Sequence, residues 1–186
     1  MTSRPSALVL HDPQSWIVMG VSGCGKSEIA RRLAARLGID FIEGDHFHPP
    51  ANIEKMAAGI PLTDADRHGW LLRLQQQLRQ AAAAGRAVVL SCSALKRRYR
   101  DLLRAGDPDA IFIHLYGERA LIAARMRQRH GHFMPSAMLD SQLTTLEPPQ
   151  QDERFLQVDI RPPPDAIVDR ILALRDALAG ARPPPA

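Results

Sequence analysis

The sequence predicts an α/β fold in which a five-stranded parallel sheet carries helices on both faces. Short apolar runs alternate along the chain with segments whose apolar residues recur every three or four positions, as in strands that alternate with helices. A glycine-rich loop joins the first strand to the first helix, and polar residues follow the second and third strands. Because ligands of such sheets bind at the carboxyl ends of the strands, these segments form the candidate functional site.

The predicted strands are short and mostly apolar. They are expected over residues 16–19, 39–42, 87–90, 111–116 and 155–160. The third of these is apolar throughout, as a central parallel strand that is buried on both faces should be.

The first three helices are bounded by glycine and proline. The first follows the glycine-rich loop and ends at Gly38, which suits the left-handed conformation found after a helix. A pair of prolines at 49–50 opens a short second helix that closes at Gly59. The third helix is long and amphipathic, with a cap in the region of Thr63 and an end at Gly85.

Four further helices complete the predicted pattern. They are expected at about 95–104, 118–130 and 136–146, and in the segment that ends at Gly180. The second of them is strongly basic, and residues 131–135 separate it from the next because glycine and proline interrupt helices.

A chain of 186 residues fits one domain with a substantial core. We expect that domain over residues 15–180, between a flexible tail at 1–14 and a proline-rich tail at 181–186. The net charge of +4 suits anionic small ligands, and no aromatic or glycine-rich pattern accompanies it that would indicate nucleic acid. Two cysteines and no long apolar segment favour a cytoplasmic protein without a membrane partner.

The glycine-rich loop matches the pattern of a glycine, four free positions and Gly-Lys-Ser. It consists of Gly20, Val21, Ser22, Gly23, Cys24, Gly25, Lys26 and Ser27. Glycines let successive backbone N–H groups point at phosphate oxygens, and the start of the next helix adds unpaired donors. We expect this loop to bind ATP, with Lys26 on the outer phosphates and the Ser27 hydroxyl on a magnesium ion.

Cys24 of this loop has two possible roles. It precedes Lys26 and lies near a helix N-terminus, and both features favour a reactive thiolate. Burial beneath the loop is the opposing interpretation, and the sequence leaves both open.

Carboxylates follow the second strand. Asp45 could orient a hydroxyl that accepts a phosphoryl group and take its proton, although an Asp at such a junction also commonly caps the next helix. Glu43 lies on the same strand face and could hold magnesium through water. His46 and His48 lack a third strong ligand for zinc, so a hydrogen bond from His48 to a polyhydroxy substrate is the better prediction.

Two groups of cations complete the candidate site. Ser93, Lys96 and Arg100 follow the third strand, and the spacing of four between the two cations predicts a shared helix face that could grip a carboxylate. A solvated basic helix is the alternative. Arg125 and Arg129 also stand four apart, and they could stabilise charge on a transferring phosphoryl group.

Together these motifs resemble the gluconate kinases, which belong with shikimate kinase and adenylate kinase among the P-loop small-molecule kinases. The resemblance covers roughly residues 15–180. Besides the phosphate loop it rests mainly on Glu-Gly-Asp-His-Phe-His-Pro at 43–49, Cys-Ser-Ala-Leu-Lys at 92–96, Gly-His-Phe-Met-Pro at 131–135 and Leu-Glu-Pro-Pro at 146–149. The motifs at 92–96 and 131–135 are far more specific than the phosphate loop, which many unrelated NTPases share.

The resemblance implies a strand order of 2-3-1-4-5, a mobile lid at about 130–150 and usually a homodimer. It also implies ATP-dependent phosphorylation of D-gluconate at its 6-hydroxyl, giving 6-phospho-D-gluconate. The alternative is another small-molecule kinase of the same fold, such as a shikimate kinase. The resemblance implies a glycine triplet in those enzymes at the place where this chain has Ser91-Cys92-Ser93. A non-catalytic ATP-binding protein is a third reading, in which Asp45 would have no purpose.

The chain departs from the family pattern at three places. Cys24 replaces a serine, but its backbone N–H donor remains. Glu43 stands where Asp is usual, which keeps a carboxylate but alters its reach toward magnesium. Leu143 and Thr144 replace a Phe-Glu pair, so the packing near the predicted lid is expected to differ.

Overall fold

Five parallel strands form the sheet of the computed structural model, which describes residues 14–128 and 136–180. The strands are β1 (Trp16–Met19), β2 (Asp40–Glu43), β3 (Val88–Ser91), β4 (Ile111–Tyr116) and β5 (Phe155–Asp159). Their order is β2-β3-β1-β4-β5, which confirms the predicted topology. Strands β2 and β3 each begin and end one residue later than predicted.

Seven α-helices connect and cover these strands within the described residues. They are α1 (Lys26–Leu37), α2 (Pro50–Ala57), α3 (Asp64–Ala83), α4 (Arg97–Arg104), α5 (Arg119–Gln128), α6 (Ser136–Thr145) and α7 (Pro164–Gly180). A single turn of 3-10 helix, Gly44–Phe47, follows β2 at a place where the sequence pattern predicts no helix. The predicted tails, apart from residue 14, lie outside the described residues, and so do residues 129–135, which include the first part of the predicted lid.

The helix ends follow the local chemistry. Gly38 has φ 67 and ends α1 in the left-handed conformation, as predicted. Thr63 caps α3 through a capping box, in which its hydroxyl accepts from the Asp66 N–H at 3.2 Å and Asp66 accepts from the Thr63 N–H at 2.8 Å. Helix α4 begins two residues later than predicted, because Ala94 has φ 43 and Lys96 is extended.

The core lies on both faces of the sheet because successive residues of a strand point to opposite sides. Val18 of β1 packs into a cluster with Leu33 of α1 and Ile171 of α7. Ile17, its neighbour, packs on the other face against Leu74 of α3. No described helix has both the length and the apolar character needed to cross a membrane.

The strand register brings the ends of three strands to one edge of the sheet. Ser91 of β3 pairs with Glu43 of β2 on one side and with Val18 of β1 on the other. The segments that leave β1, β2 and β3 therefore start side by side, and they carry most of the predicted site residues.

Candidate active site

The glycine-rich loop adopts backbone angles that only glycine takes without strain. Gly20 has φ 141, and a Cβ there would lie 2.7 Å from the carbonyl oxygen of Leu115. Gly25 has φ 97 and is the N-cap of α1. Glycine has no side chain to cap the helix, so the first N–H groups of α1 are left for a ligand, and anions are the ligands that a helix N-terminus favours.

Lys26 follows this cap as the first residue of α1. Its ammonium donates to the carbonyl oxygen of Val21 at 3.0 Å, which holds the cation against the loop. The N–H of Gly20 donates to the carbonyl oxygen of Ser93 at 3.3 Å, so the segment after β3 lies directly beside the loop. Loop, lysine and helix start thus form a cationic site for phosphates.

The structure favours the buried interpretation of Cys24. The residue is 1% exposed. Burial raises the pKa of its thiol above the ordinary value, and the charge of Lys26 offsets this only in part. The thiol therefore stays protonated near neutral pH and packs beneath the loop, which is why a small residue is sufficient at this position.

Asp45 lies on the 3-10 turn that follows β2, and its side chain is 73% exposed. Two hydrogen bonds to its neighbour Gly44 fix the turn. The Trp70 indole N–H donates to the Gly44 carbonyl oxygen at 2.7 Å, and the Gly44 N–H donates to the Ser91 hydroxyl at 3.3 Å. The N-cap of α2 is Pro49, so Asp45 does not cap that helix and its carboxylate is presented to solvent at the ligand-binding edge.

His48 is buried beside this carboxylate. Its ring stacks on Trp70 with centroids 4.1 Å apart and an interplanar angle of 17°. Burial lowers the pKa of His48, and the charge of Asp45 offsets this only in part, so the ring is neutral near pH 7. Asn52 Nδ2 is a donor and lies 3.3 Å from His48 Nδ1, which assigns the ring proton to Nε2. Nε2 lies 4.0 Å from Asp45 Oδ1.

Glu43 is held at the end of β2. The Ser91 hydroxyl donates to its Oε1, and the same hydroxyl accepts from the Gly44 N–H. Among the described residues no group of three or more His, Cys, Asp or Glu side chains could hold a metal ion. A magnesium ion here would thus depend on oxygen donors of both protein and nucleotide, and the Ser27 hydroxyl and the Glu43 carboxylate are donors of the hard type that Mg²⁺ prefers.

The structure corrects the prediction for Arg100. Its guanidinium is fully buried, and it donates to both carboxylate oxygens of Glu153, at 2.6 and 2.8 Å. It also donates to the carbonyl oxygen of Glu147 at 2.9 Å. These partners occupy the cation, so Arg100 ties the start of α4 to residues 147–153 and cannot grip a substrate carboxylate.

Lys96 does not share a helix face with Arg100, because it is the extended N-cap of α4. Its ammonium lies 3.0 Å from Asp64 Oδ1, and its side chain is 25% exposed. Arg67 of α3 lies near His48 and Tyr99. Its positive charge contributes to lowering the pKa of His48. It also opposes the rise in the pKa of Tyr99 that burial causes. Arg67 is thus a cation near His48, and Lys96 is a second cation, at the start of α4.

Arg125 lies on α5, where its guanidinium donates to the carbonyl oxygen of Ile160 at 2.7 Å. Its charge opposes the rise in the pKa of Cys24 that burial causes, which places Arg125 near the phosphate loop. Arg129, predicted to act with it, lies outside the described residues.

Sequence reasoning does not single out Trp70 and Arg67, which belong to the amphipathic third helix. Both lie on the face of α3 that meets the 3-10 turn, and periodicity alone marks that face as core. Gly44 and Trp70, whose hydrogen bond holds the turn, are 26 residues apart, so no local sequence pattern connects them.

The comparisons with known proteins agree with this geometry. The AAA domain family matches residues 16–149. The gluconokinase of Gluconobacter oxydans is 48% identical over 172 residues, which are 92% of this chain and 96% of that protein. The thermoresistant gluconokinase of Escherichia coli is 44% identical over 159 residues, 85% of this chain and 91% of that protein.

Solved structures extend the likeness. A gluconokinase from Sinorhizobium meliloti superposes with a TM-score of 0.83 at 48% identity and covers 91% of this chain and 95% of its own. The shikimate kinase of Aquifex aeolicus shares the fold alone, with a TM-score of 0.56 at 13% identity. The superposition covers 91% of this chain and 100% of that one. With high identity over nearly the whole chain, and with the phosphate loop and Asp45 turn at one sheet edge, the protein belongs to the gluconokinase family of P-loop kinases.

Proposed function

We propose that this protein transfers the γ-phosphoryl group of ATP to the 6-hydroxyl of D-gluconate, giving 6-phospho-D-gluconate and ADP. One observation carries the proposal for the site. The exposed carboxylate of Asp45 stands on a rigid turn, beside a neutral His48, at the sheet edge where the phosphate loop begins. A phosphoryl acceptor with several hydroxyl groups needs a base and a neutral donor of this kind.

The phosphate loop prepares the donor. Backbone N–H groups of the loop and of the first turn of α1 bind the phosphates of ATP, and Lys26 neutralises their outer charge. Arg125 supplies further positive charge from α5. Magnesium, when bound, neutralises the β- and γ-phosphates, and the Ser27 hydroxyl and Glu43 carboxylate are the side chains proposed to hold it.

Asp45 acts on the acceptor. Its carboxylate accepts a hydrogen bond from the 6-hydroxyl and orients the oxygen toward the γ-phosphorus. As the new O–P bond forms and the bond between the γ-phosphorus and ADP breaks, the hydroxyl proton passes to Asp45. His48 Nε2–H donates to a neighbouring hydroxyl of the sugar acid and fixes its position.

The carboxylate of gluconate requires a cation at the other end of the substrate pocket. Arg67, whose charge acts on the neighbouring His48, and Lys96, at the start of α4, are proposed for this role in place of Arg100. Ser93 adds a hydroxyl from the segment after β3. A pair of cations that binds this carboxylate would select a sugar acid over a neutral sugar.

Replacing Asp45 by Asn tests the assignment of the base. Asn keeps the size and polarity of the side chain but cannot take a proton, so we expect kcat to fall by about 100- to 10,000-fold. The dissociation constant for gluconate should change much less, since the hydrogen-bonding shape is kept. Steady-state kinetics and calorimetry measure the two quantities.

Asp40→Asn is the matched control. Asp40 is the first residue of β2, at the end of the strand away from Asp45. Its exposed carboxylate lies 2.9 Å from the Arg86 guanidinium. This variant should keep wild-type turnover. Wild-type turnover by the Asp45 variant would remove Asp45 from the mechanism.

A shikimate-type kinase is less well supported, because the chain reads Ser91-Cys92-Ser93 at the end of β3, where those enzymes are expected to carry a glycine triplet. A non-catalytic ATP-binding protein would give no phosphorylated product at all.

We further propose a homodimer in the cytoplasm, where the two free cysteines would stay reduced. Light scattering after size-exclusion chromatography measures the first of these properties.

A further inference from the structure

Gln142 of α6 makes two hydrogen bonds to a single residue of the phosphate loop. Its Oε1 accepts from the backbone N–H of Ser22 at 2.7 Å, and its Nε2 donates to the Ser22 hydroxyl at 3.1 Å. The two residues are 120 positions apart. Because the backbone N–H can only donate, the contact also fixes which end of the amide is the oxygen.

The helix that carries Gln142 is itself anchored. Leu139 of α6 is fully buried in the core cluster on the α1 side of the sheet. Asp140 accepts two hydrogen bonds from the Arg119 guanidinium, at 2.6 and 2.9 Å, and this pair joins α6 to the start of α5. Gln142 is therefore presented to the loop from a helix that packs on the core, although α6 falls within the segment expected to be a mobile lid, and the contact is more than a chance meeting of two surface groups.

Ser22 lies between glycines of the loop, whose backbones can adopt the largest range of conformations. Gly20 precedes it, and Gly23 and Gly25 follow it with φ 83 and 97. Such residues have more backbone conformations to lose than any other type, so a loop of this kind pays an entropic cost when it becomes ordered around phosphate. A side chain that fixes Ser22 in advance reduces that cost.

We propose that Gln142 is a positioning residue for the nucleotide: it holds Ser22 so that the N–H groups of the loop keep their phosphate-binding arrangement before ATP arrives. Its neutral amide suits this role better than a carboxylate. A glutamate at the same place would set a negative charge against a loop that must receive phosphate anions. The inference rests on the proposed function, since it assumes that this loop binds ATP.

The test compares Gln142→Ala, Gln142→Glu, Ser22→Ala and the double variant Gln142→Ala/Ser22→Ala. We expect Gln142→Ala to raise the dissociation constant for MgATP by about 5- to 30-fold, the loss of two hydrogen bonds, and to change the KM for gluconate less than about twofold. Gln142→Glu should weaken MgATP binding further. Ser22→Ala should have a smaller effect, because it keeps the backbone N–H.

The double variant separates coupling from simple addition. Gln142→Ala already abolishes both hydrogen bonds, so removing the Ser22 hydroxyl as well should add little. Thr144→Ala on the same helix is the control, because its hydroxyl donates to the Asp140 carbonyl oxygen of its own helix. This control should bind MgATP like the wild type.

Three results would overturn the proposal. The first is a Gln142→Ala variant that binds MgATP within twofold of the wild type. The second is full additivity of the two single changes. The third is a parallel rise in both KM values with a lower melting temperature, which would make the contact purely structural. Failure of the proposed function looks different, because the wild type itself would then form no 6-phospho-D-gluconate from MgATP and gluconate.

Discussion

His114 is a buried histidine within β4, and it couples the stability of the fold to pH. It is 4% exposed, and no hydrogen-bond partner in the described part of the chain reaches its Nδ1. Burial lowers the pKa of His114 to about 4, and the nearby charge of Arg100 adds to this. The folded protein therefore keeps this ring neutral at a pH where the unfolded chain protonates it.

The sign of the pH effect follows from these pKa values. In the unfolded chain the ring has its ordinary pKa of 6.5, above the value in the folded protein. As the pH falls from 6.5 towards 4, the unfolded chain binds a proton that the folded protein does not, and the free energy of unfolding decreases. The full loss over this window is on the order of 3 kcal/mol. Burial opposes ionisation of Glu153, but hydrogen bonds from Arg100 and Gln150 lower the pKa of its carboxyl to about 2. The contribution of Glu153 to the free energy of unfolding is therefore lost at lower pH than that of His114.

We expect His114→Leu to show a shallower dependence of the free energy of unfolding on pH between 6.5 and 4.5. Urea denaturation at several pH values measures it, and Glu153, which both proteins retain, affects the two profiles alike. His68→Leu is the control, because His68 lies exposed on α3 and is solvated in both states. Parallel pH profiles for the wild type and His114→Leu would show that His114 is not the group responsible.

At the scale of elements, α3 positions the turn that carries the proposed base. Trp70 reaches across from this helix, donates to the Gly44 carbonyl oxygen and supports the His48 ring by stacking. Gly44 itself is packed so closely on the carbonyl oxygen of Ser91 that a side chain would not fit. Helix, turn and β3 therefore form one rigid unit, and Asp45 inherits its position from them.

Replacing Trp70 by Phe tests this clamp. Phe keeps most of the stacking surface but lacks the N–H, so the Gly44 carbonyl oxygen loses its partner at a net cost of about 1 kcal/mol. We expect kcat to fall by about three- to tenfold while the KM for ATP stays unchanged, because a small displacement of the base affects only the chemical step.

Trp16→Phe provides the comparison, since Trp16 is also buried but belongs to the core cluster on the opposite face of the sheet from Trp70. It should lower the melting temperature without the loss of kcat. If the two variants lose kcat to the same extent, the effect of Trp70 is one of stability alone.

At the scale of the whole molecule, the sequence predicts the architecture better than it predicts the contacts. Alternating strands and helices lead directly to the parallel sheet, and the strand ends were placed within one residue for β2 and β3. The edge that carries the site follows from the same pattern. Asp45 and His48 were accessible to this reasoning because they directly follow a strand.

The remaining parts of the site depend on long-range contacts. The spacing of Lys96 and Arg100 predicts a helical face, but a left-handed Ala94 delays the start of α4 and Glu153, 53 residues away, captures Arg100. Burial decides the state of Cys24 against the nearby lysine. Neither the glutamate partner nor the depth of burial has a local signature in the sequence.

The central claim is that ATP is used to phosphorylate the 6-hydroxyl of gluconate. It is tested most directly by following ADP release with D-gluconate, with shikimate and without an acceptor, together with phosphorus NMR of the product. We predict release at least about 100-fold faster with gluconate than in the other two reactions, as expected for a site built to hydrogen-bond its acceptor. The new phosphorus signal should couple to two protons, because among the hydroxyl-bearing carbons of gluconate only C6 carries two. ADP release that is independent of gluconate, or faster with shikimate, would contradict the account.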